Sequence, residues 1–242
     1  MIDELWIRVS ATQPPLHPLA SVLVAVLALA ATWSPLGHHL LRHAVTVVHE
    51  AGHALVALLV GRRLTGIHLH RDTSGVTVSR GRARGPGMVA TLLAGYPAPA
   101  LLGLIGSWVV GTGHAAAWLW GFVALCVVML LLVRNLYGAW VVLALGAVVG
   151  ALSWWSTGPL LTAAAQLTVW GLLLAAPRAV LDLQRGRVRV RRRGHRDTSD
   201  AGQLADQTGV PGIAWTVLFA LVCLGCLGVA LWALVGESGL RP

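Results

Sequence analysis

Seven apolar stretches, at about residues 19–34, 39–60, 88–110, 115–133, 136–155, 159–181 and 213–235, leave this chain few folds to choose from. Most are as long as a helix needs to be to cross a hydrocarbon core of ~30 Å. A chain in that medium must satisfy its backbone hydrogen bonds within itself, and helices do so. With 56% of residues apolar and 11% charged, the charges are left to the connections. The expectation is an all-α integral-membrane protein, a single domain over residues 1–242, with about seven transmembrane helices in the cell membrane. A secretory signal would open with a positive region, whereas here Asp3 and Glu4 outnumber Arg8. The first stretch therefore reads as a helix, ended near Ser34-Pro35.

Inside the second stretch lies His49-Glu50-Ala51-Gly52-His53. Four residues apart on a helix, the two imidazoles stand one above the other and can grip a single Zn²⁺. A metal so held acidifies nearby water, and a neighbouring carboxylate, here Glu50, can take the proton and later pass it to a leaving amine. That chemistry is peptide hydrolysis. The five-residue pattern alone arises by chance on ordinary helices, but its setting argues otherwise. An ionisable group in a span is costly unless it has a function or a partner. At about 100° per residue, His39, Arg42, His43, Thr46, His49, Glu50 and His53 fall within roughly a third of the helix circumference.

After this helix the pattern turns from helical to alternating. Leu64, Ile67 and Leu69 intersperse with polar residues, Val76 and Val78 alternate with Thr77 and Ser79, and Arg71-Asp72-Thr73-Ser74-Gly75 supplies turn chemistry. This predicts a short cytoplasmic β-hairpin over 64–80 at the membrane surface. His68 and His70 read as exposed strand residues. Pro97 and Pro99 are expected to kink the next span.

All eighteen basic residues are arginine, for a net charge of +9. They gather in the connection carrying Arg62 to Arg84, at Arg134, and in an Arg-rich loop at 182–211, whereas the connections near 34–38, 111–114 and 156–158 carry none. With seven spans, the positive-inside rule puts the N-terminus, the hairpin and the Arg-rich loop in the cytoplasm and the C-terminus outside. Arginine in short connections suits anionic lipid headgroups, so no nucleic acid partner is expected. Cys126, Cys223 and Cys226 lie in apolar stretches and support neither a disulfide framework nor a cysteine-zinc site.

Val48-His49-Glu50-Ala51-Gly52-His53-Ala54, Gly75-Val76-Thr77, Ala94-Gly95-Tyr96 with Pro99-Ala100, and Ser199-Asp200-Ala201 together carry a likeness running from about residue 45 to 235. On these residues the chain resembles the site-2 protease family of intramembrane zinc metallopeptidases, most closely its small multi-spanning branch in bacteria and plants. The resemblance implies that His49 and His53 bind zinc, that Glu50 is the general base, and that the substrate is a membrane protein or peptide. It also implies a third, carboxylate ligand on a later helix, supplied in the better-known branch by Leu-Asp-Gly. Here the nearest match is Leu181-Asp182-Leu183, with no glycine following. Apart from Glu50, Asp182 alone among the nine acids falls to a span on the cytoplasmic side, ending the sixth expected helix, and it is the expected third ligand. Pairing with Arg178 or Arg185 is its competing role, and Asp200 is the alternative ligand. A polar stripe along most of a span is also what an ion pathway needs. A metal or proton translocator, or an inactive protease relative that binds substrate without cutting, is therefore the second reading.

Overall fold

The computed structural model describes residues 2–237. Ten helices and one two-stranded sheet follow in the order α1 (Ile2–Ser10), α2 (Pro18–Trp33), α3 (Pro35–Leu59), β1 (Arg63–Leu69), β2 (Gly75–Arg80), α4 (Pro86–Ala94), α5 (Pro97–Gly111), α6 (Ala115–Leu132), α7 (Leu136–Trp155), α8 (Gly158–Arg192), α9 (Asp200–Thr208) and α10 (Gly212–Glu237). Every apolar stretch of the sequence is helical, yet the span count differs from seven. Among the described residues, α6, α7, α8 and α10 are each long and apolar enough to cross a membrane, and six spans result if the bent pairs α2/α3 and α4/α5 each count as one.

Both bends have local causes. Ser34 leaves the helical conformation, its N–H closing α2 on Ala30 and Ala31 while its hydroxyl caps α3 by accepting from the Gly37 N–H at 3.1 Å. Pro35 then starts α3 where no intrahelical donor is needed. The axes turn by 96° at this point. Between α4 and α5, Pro97 removes a donor and the axis turns by 59°. The polar face of α3 explains why it does not qualify as a span by itself.

Contacts at the two ends of the bundle correct the expected topology. Arg8 donates to the Trp154 carbonyl at 2.8 Å, the Gln13 N–H to the Gly113 carbonyl at 2.7 Å, and Thr162 to the Pro14 carbonyl at 3.0 Å. The N-terminal segment thus packs where α6 and α8 begin. The far end of α6 meets the hairpin, where the Arg134 N–H donates to the Ile67 carbonyl at 2.9 Å. An N-terminus and a hairpin on the same side therefore do not match the structure. The physical reason lies in the Ser34 break: where α2 and α3 count as one bent pass, two expected spans become one and the parity of the count changes. The arginine-bearing connections do share the hairpin end.

The region 182–211 is not the loop expected. Helix α8 runs on to Arg192, because arginine is a good helix former and Leu183 and Arg187, one turn apart, both turn inward. A shorter capped helix, α9, follows. The hairpin forms as predicted, with Ile67 opposite Thr77 and Leu69 opposite Gly75. Asp72 accepts from the Ser74 N–H and hydroxyl across the turn. The outer edge of β1 is occupied: besides Arg134, the Asn135 side chain accepts from the Leu69 N–H at 3.1 Å and donates to its carbonyl at 2.7 Å. Among the described residues no backbone partner covers the other edge, along Gly75 to Val78 of β2.

Cysteines introduced at Thr12 and at Ser74 are expected to react with a membrane-impermeant maleimide from opposite faces of sealed vesicles. Labelling of both from the same face would contradict this arrangement.

Candidate metal centre

His49 and His53 sit on successive turns of α3, as the i, i+4 spacing requires. His53 is buried, and its Nδ1–H donates to the Thr91 carbonyl of α4 at 2.7 Å. That bond fixes the tautomer and leaves a lone pair on Nε2. The Nε2 atoms of the two rings stand 3.0 Å apart. His49 is held edge-on to Tyr96, with ring centroids 4.7 Å apart, and Tyr96 stacks on Phe219 of α10 at 5.2 Å.

The carboxylate that joins them is Asp200, whose Oδ2 lies 3.3 Å from each Nε2. Asp182, the expected third ligand, is elsewhere. It faces His38 at 3.3 Å, Arg42 at 3.8 Å and Arg185 at 3.5 Å, which is the ion-pair role that competed with ligation. The correction has a simple origin. Asp182 is held within α8, which continues to Arg192, whereas the chain turns back after Arg193 and returns Asp200 to the imidazoles on the first turn of α9.

The return of Asp200 is enforced by a buried arginine. Arg187 donates from Nε to Asp197 at 2.7 Å and from Nη1 to the Gly212 carbonyl and the Thr216 hydroxyl at 2.8 and 2.7 Å. Asp197 in turn accepts from the Ser199 N–H and hydroxyl, and Ser199 caps α9. Burial alone would raise the Asp197 carboxyl; hydrogen bonds from Ser199 and Arg187 outweigh it and hold the group below the usual carboxylate range. Deleting one member of such a pair costs about 3–5 kcal/mol, because the other charge stays buried. Ala201 and Leu204 bury the inner face of α9, and Gln207 ties its far end to the Ala83 carbonyl.

These groups fit a divalent metal. Nε2 of His49, Nε2 of His53 and a carboxylate oxygen of Asp200 all lie within 4.8 Å of one another. Three electron-pair donors at this spacing in a poorly solvated site can share one cation. The space beside them is kept open by Gly95. A Cβ at that residue would fall on His53 Nε2 and lie 2.6 Å from His49 Cε1. Glu50, also buried, is not one of the three: its carboxylate turns to the hairpin, accepting from the Thr77 hydroxyl at 2.6 Å. His49, Glu50, His53, Thr77, Tyr96 and Asp200 line one open cavity of ≈ 750 Å³.

A family model described as Peptidase M50B-like matches residues 22–230, which includes all of these groups. The chain belongs to the M50B-like peptidases, within the site-2 protease family. Comparison with curated proteins and with solved structures finds no match. In this M50B-like chain Gly95, Thr91 and Thr77 escaped the sequence reading as parts of the site. Asp200 was only the alternative ligand. A usable signal existed in Ser199 as a helix cap before Ala201 and Leu204, closed by Gly209, which marks a short helix with an inward face. The remaining polar stripe of α3 is divided among separate partners: Arg42 goes to Asp182, which also faces His38, His43 to Tyr137 at 2.8 Å, Thr46 to the Thr73 carbonyl, and His39 packs edge-on against His43.

Zinc analysis of purified variants is expected to show affinity lowered about tenfold or more by Asp200→Asn and by Gly95→Ala, and unchanged by Asp182→Asn. Loss in Asp182→Asn with retention in Asp200→Asn would reverse the assignment.

Proposed function

We propose that this chain is a zinc metalloendopeptidase that hydrolyses a peptide bond in a membrane-embedded or membrane-proximal segment of another protein. The observation that carries the reading is the convergence of His49, His53 and Asp200 beside Glu50, inside an apolar bundle whose family is one of metallopeptidases. His49, His53 and Asp200 would hold the zinc. When bound, the ion supplies the Lewis acidity that makes water deprotonable near neutral pH and polarises a scissile carbonyl.

The chain's own residues supply the rest. Glu50 accepts the proton of the attacking water and returns it to the leaving amine. Its separate anchorage by the hairpin suits a base rather than a ligand. Tyr96 lines the cavity and, backed by Phe219, holds the His49 ring in place.

A helical substrate hides its carbonyls in i to i−4 bonds and must unwind locally to be cut. The hairpin offers such a segment an alternative. Ile67 and Leu69 commit main-chain groups to Arg134 and Asn135, so Thr77 and Gly75, which face them across the hairpin, direct their own N–H and C=O groups toward the open edge of β2. A substrate added there as a further strand keeps its backbone satisfied beside Glu50. The arginines gathered at the hairpin end support a cytoplasmic location for that end, and with it the active site, by the positive-inside rule. The N-terminal segment then lies on the outer side of the cell membrane, the reverse of the orientation expected from seven spans.

The test is cleavage by proteoliposomes containing the wild type or Glu50→Gln, co-reconstituted with single-span membrane proteins extracted from the expression host, with new N-termini read by mass spectrometry. The wild type is expected to generate new termini within or next to spans, and Glu50→Gln to lose them at least about a hundredfold while keeping its zinc. Zn²⁺ flux that survives Glu50→Gln, with no cleavage by either protein, would replace the peptidase with a translocator.

A further inference from the structure

The hairpin motif Gly75-Val76-Thr77 has a use that neither turn formation nor strand pairing explains. The Thr77 hydroxyl carries one hydrogen, and two acceptors lie within reach: Glu50 Oε2 at 2.6 Å and the Glu50 carbonyl at 3.2 Å. The shorter, charge-assisted contact takes the proton. Among the described residues this is the only hydrogen bond made to the Glu50 side chain, which is 2% exposed. The other side of the carboxylate is set by a missing atom. A Cβ at Gly75 would collide with Glu50 Oε1 and lie 2.7 Å from Cγ, so position 75 must be glycine for the carboxylate to lie where it does. The turn before β2 is tied to the same helix, since the Thr46 hydroxyl donates to the Thr73 carbonyl at 2.7 Å. Strand β2 and the turn before it are thus fastened to α3 at two points, at Glu50 itself through Thr77 and one turn earlier in the helix at Thr46.

We infer that Thr77 is a positioning residue: its hydroxyl, with the bare backbone of Gly75 beside it, fixes the rotamer of Glu50. This rests on the reading of Glu50 as a general base. A glutamate has three side-chain torsions, and proton transfer needs its oxygen within about 0.5 Å of the productive place. A buried carboxylate with no donor would not keep one orientation, nor stay satisfied. One donor on Oε2 leaves Oε1 unbonded among the described residues and open to the proton. The same arrangement couples substrate to catalyst. The residue that would pair with an added substrate strand through its main chain holds the base through its side chain, so the scissile bond and the base share one reference frame.

The experiment compares Thr77→Val, close in shape but without the donor, and Thr77→Ser, which keeps the hydroxyl, using the membrane-protein substrate that the wild type cleaves in proteoliposomes. Thr77→Val is expected to lower kcat about tenfold to a hundredfold with KM and zinc content unchanged, and Thr77→Ser to restore most of the loss. In a background of Glu50→Gln, Thr77→Val should cost nothing further. A kcat that is unchanged or higher in Thr77→Val would overturn the proposal, and so would a loss confined to KM. The contact is also read without turnover. In metal-free protein labelled with ¹³C-glutamate, the infrared carboxylate band removed by Glu50→Gln should shift in Thr77→Val and keep its place in Thr77→Ser. An unmoved band in Thr77→Val refutes the contact even if the wild type proves to cleave nothing, so this arm fails separately from the peptidase reading.

Discussion

Everything around the candidate centre serves to hold two imidazole nitrogens and a carboxylate oxygen within a few ångströms of each other in a medium that cannot solvate them. His49 and His53 come from one helix, and Asp200 from a chain segment that returns about 150 residues later. With neither a metal nor a shared proton between them, their lone pairs face one another unsatisfied, which is costly in a poorly solvated place. The fold supplies the compensations one by one. Thr91 absorbs the Nδ1–H of His53, Gly95 leaves the room, and Arg187 turns the chain back through Asp197 so that α9 starts at the right place. A carboxylate in the first turn of α9 also sits at the positive end of that helix's dipole.

The broken helices belong to the same arrangement. A straight α4/α5 would put a continuous wall of side chains against α3, whereas the bend at Gly95 to Pro97 lets backbone approach the imidazoles. At the other break, Ser34 and Pro35 turn α3 across the bundle, so its polar face meets α4, α9 and the hairpin rather than lipid. Polar groups in a membrane are tolerated where they face protein or a cavity. Here His49, Glu50 and His53 face the centre, Arg42 and His43 are paired with Asp182 and Tyr137, and Thr46 bonds to the hairpin turn.

Much of this is legible in the sequence, for identifiable reasons. Apolar runs announce helices in any context, and alternation with a turn-rich break announces the hairpin, because both follow from local periodicity. The pair His49 and His53 with Glu50 is legible since the helix itself sets its spacing. What periodicity does not encode is direction. Ser34-Pro35 marks the end of a helix equally well whether the chain then turns around, starts a new span or bends by 96°, and the count of spans hangs on that. Asp200 stayed hidden behind Asp182 for a related reason: a polar segment is satisfied by water as easily as by a site, and only the burial of Arg187 against Asp197 brings this one back. Thr77 and Gly95 act through a single hydroxyl and a missing Cβ, which no composition or spacing reveals.

The central claim is that residue 200, not residue 182, completes the metal centre begun by His49 and His53. It is tested most directly by zinc K-edge X-ray absorption on protein carrying Asp200→Cys, loaded with one zinc. If Asp200 is a ligand position, the substitution puts a thiolate on the metal, and a sulfur scatterer is expected at about 2.3 Å alongside imidazole nitrogens at about 2.0–2.1 Å. Asp182→Cys should show nitrogen and oxygen scatterers only. Sulfur in the Asp182→Cys spectrum and none in Asp200→Cys would contradict the account.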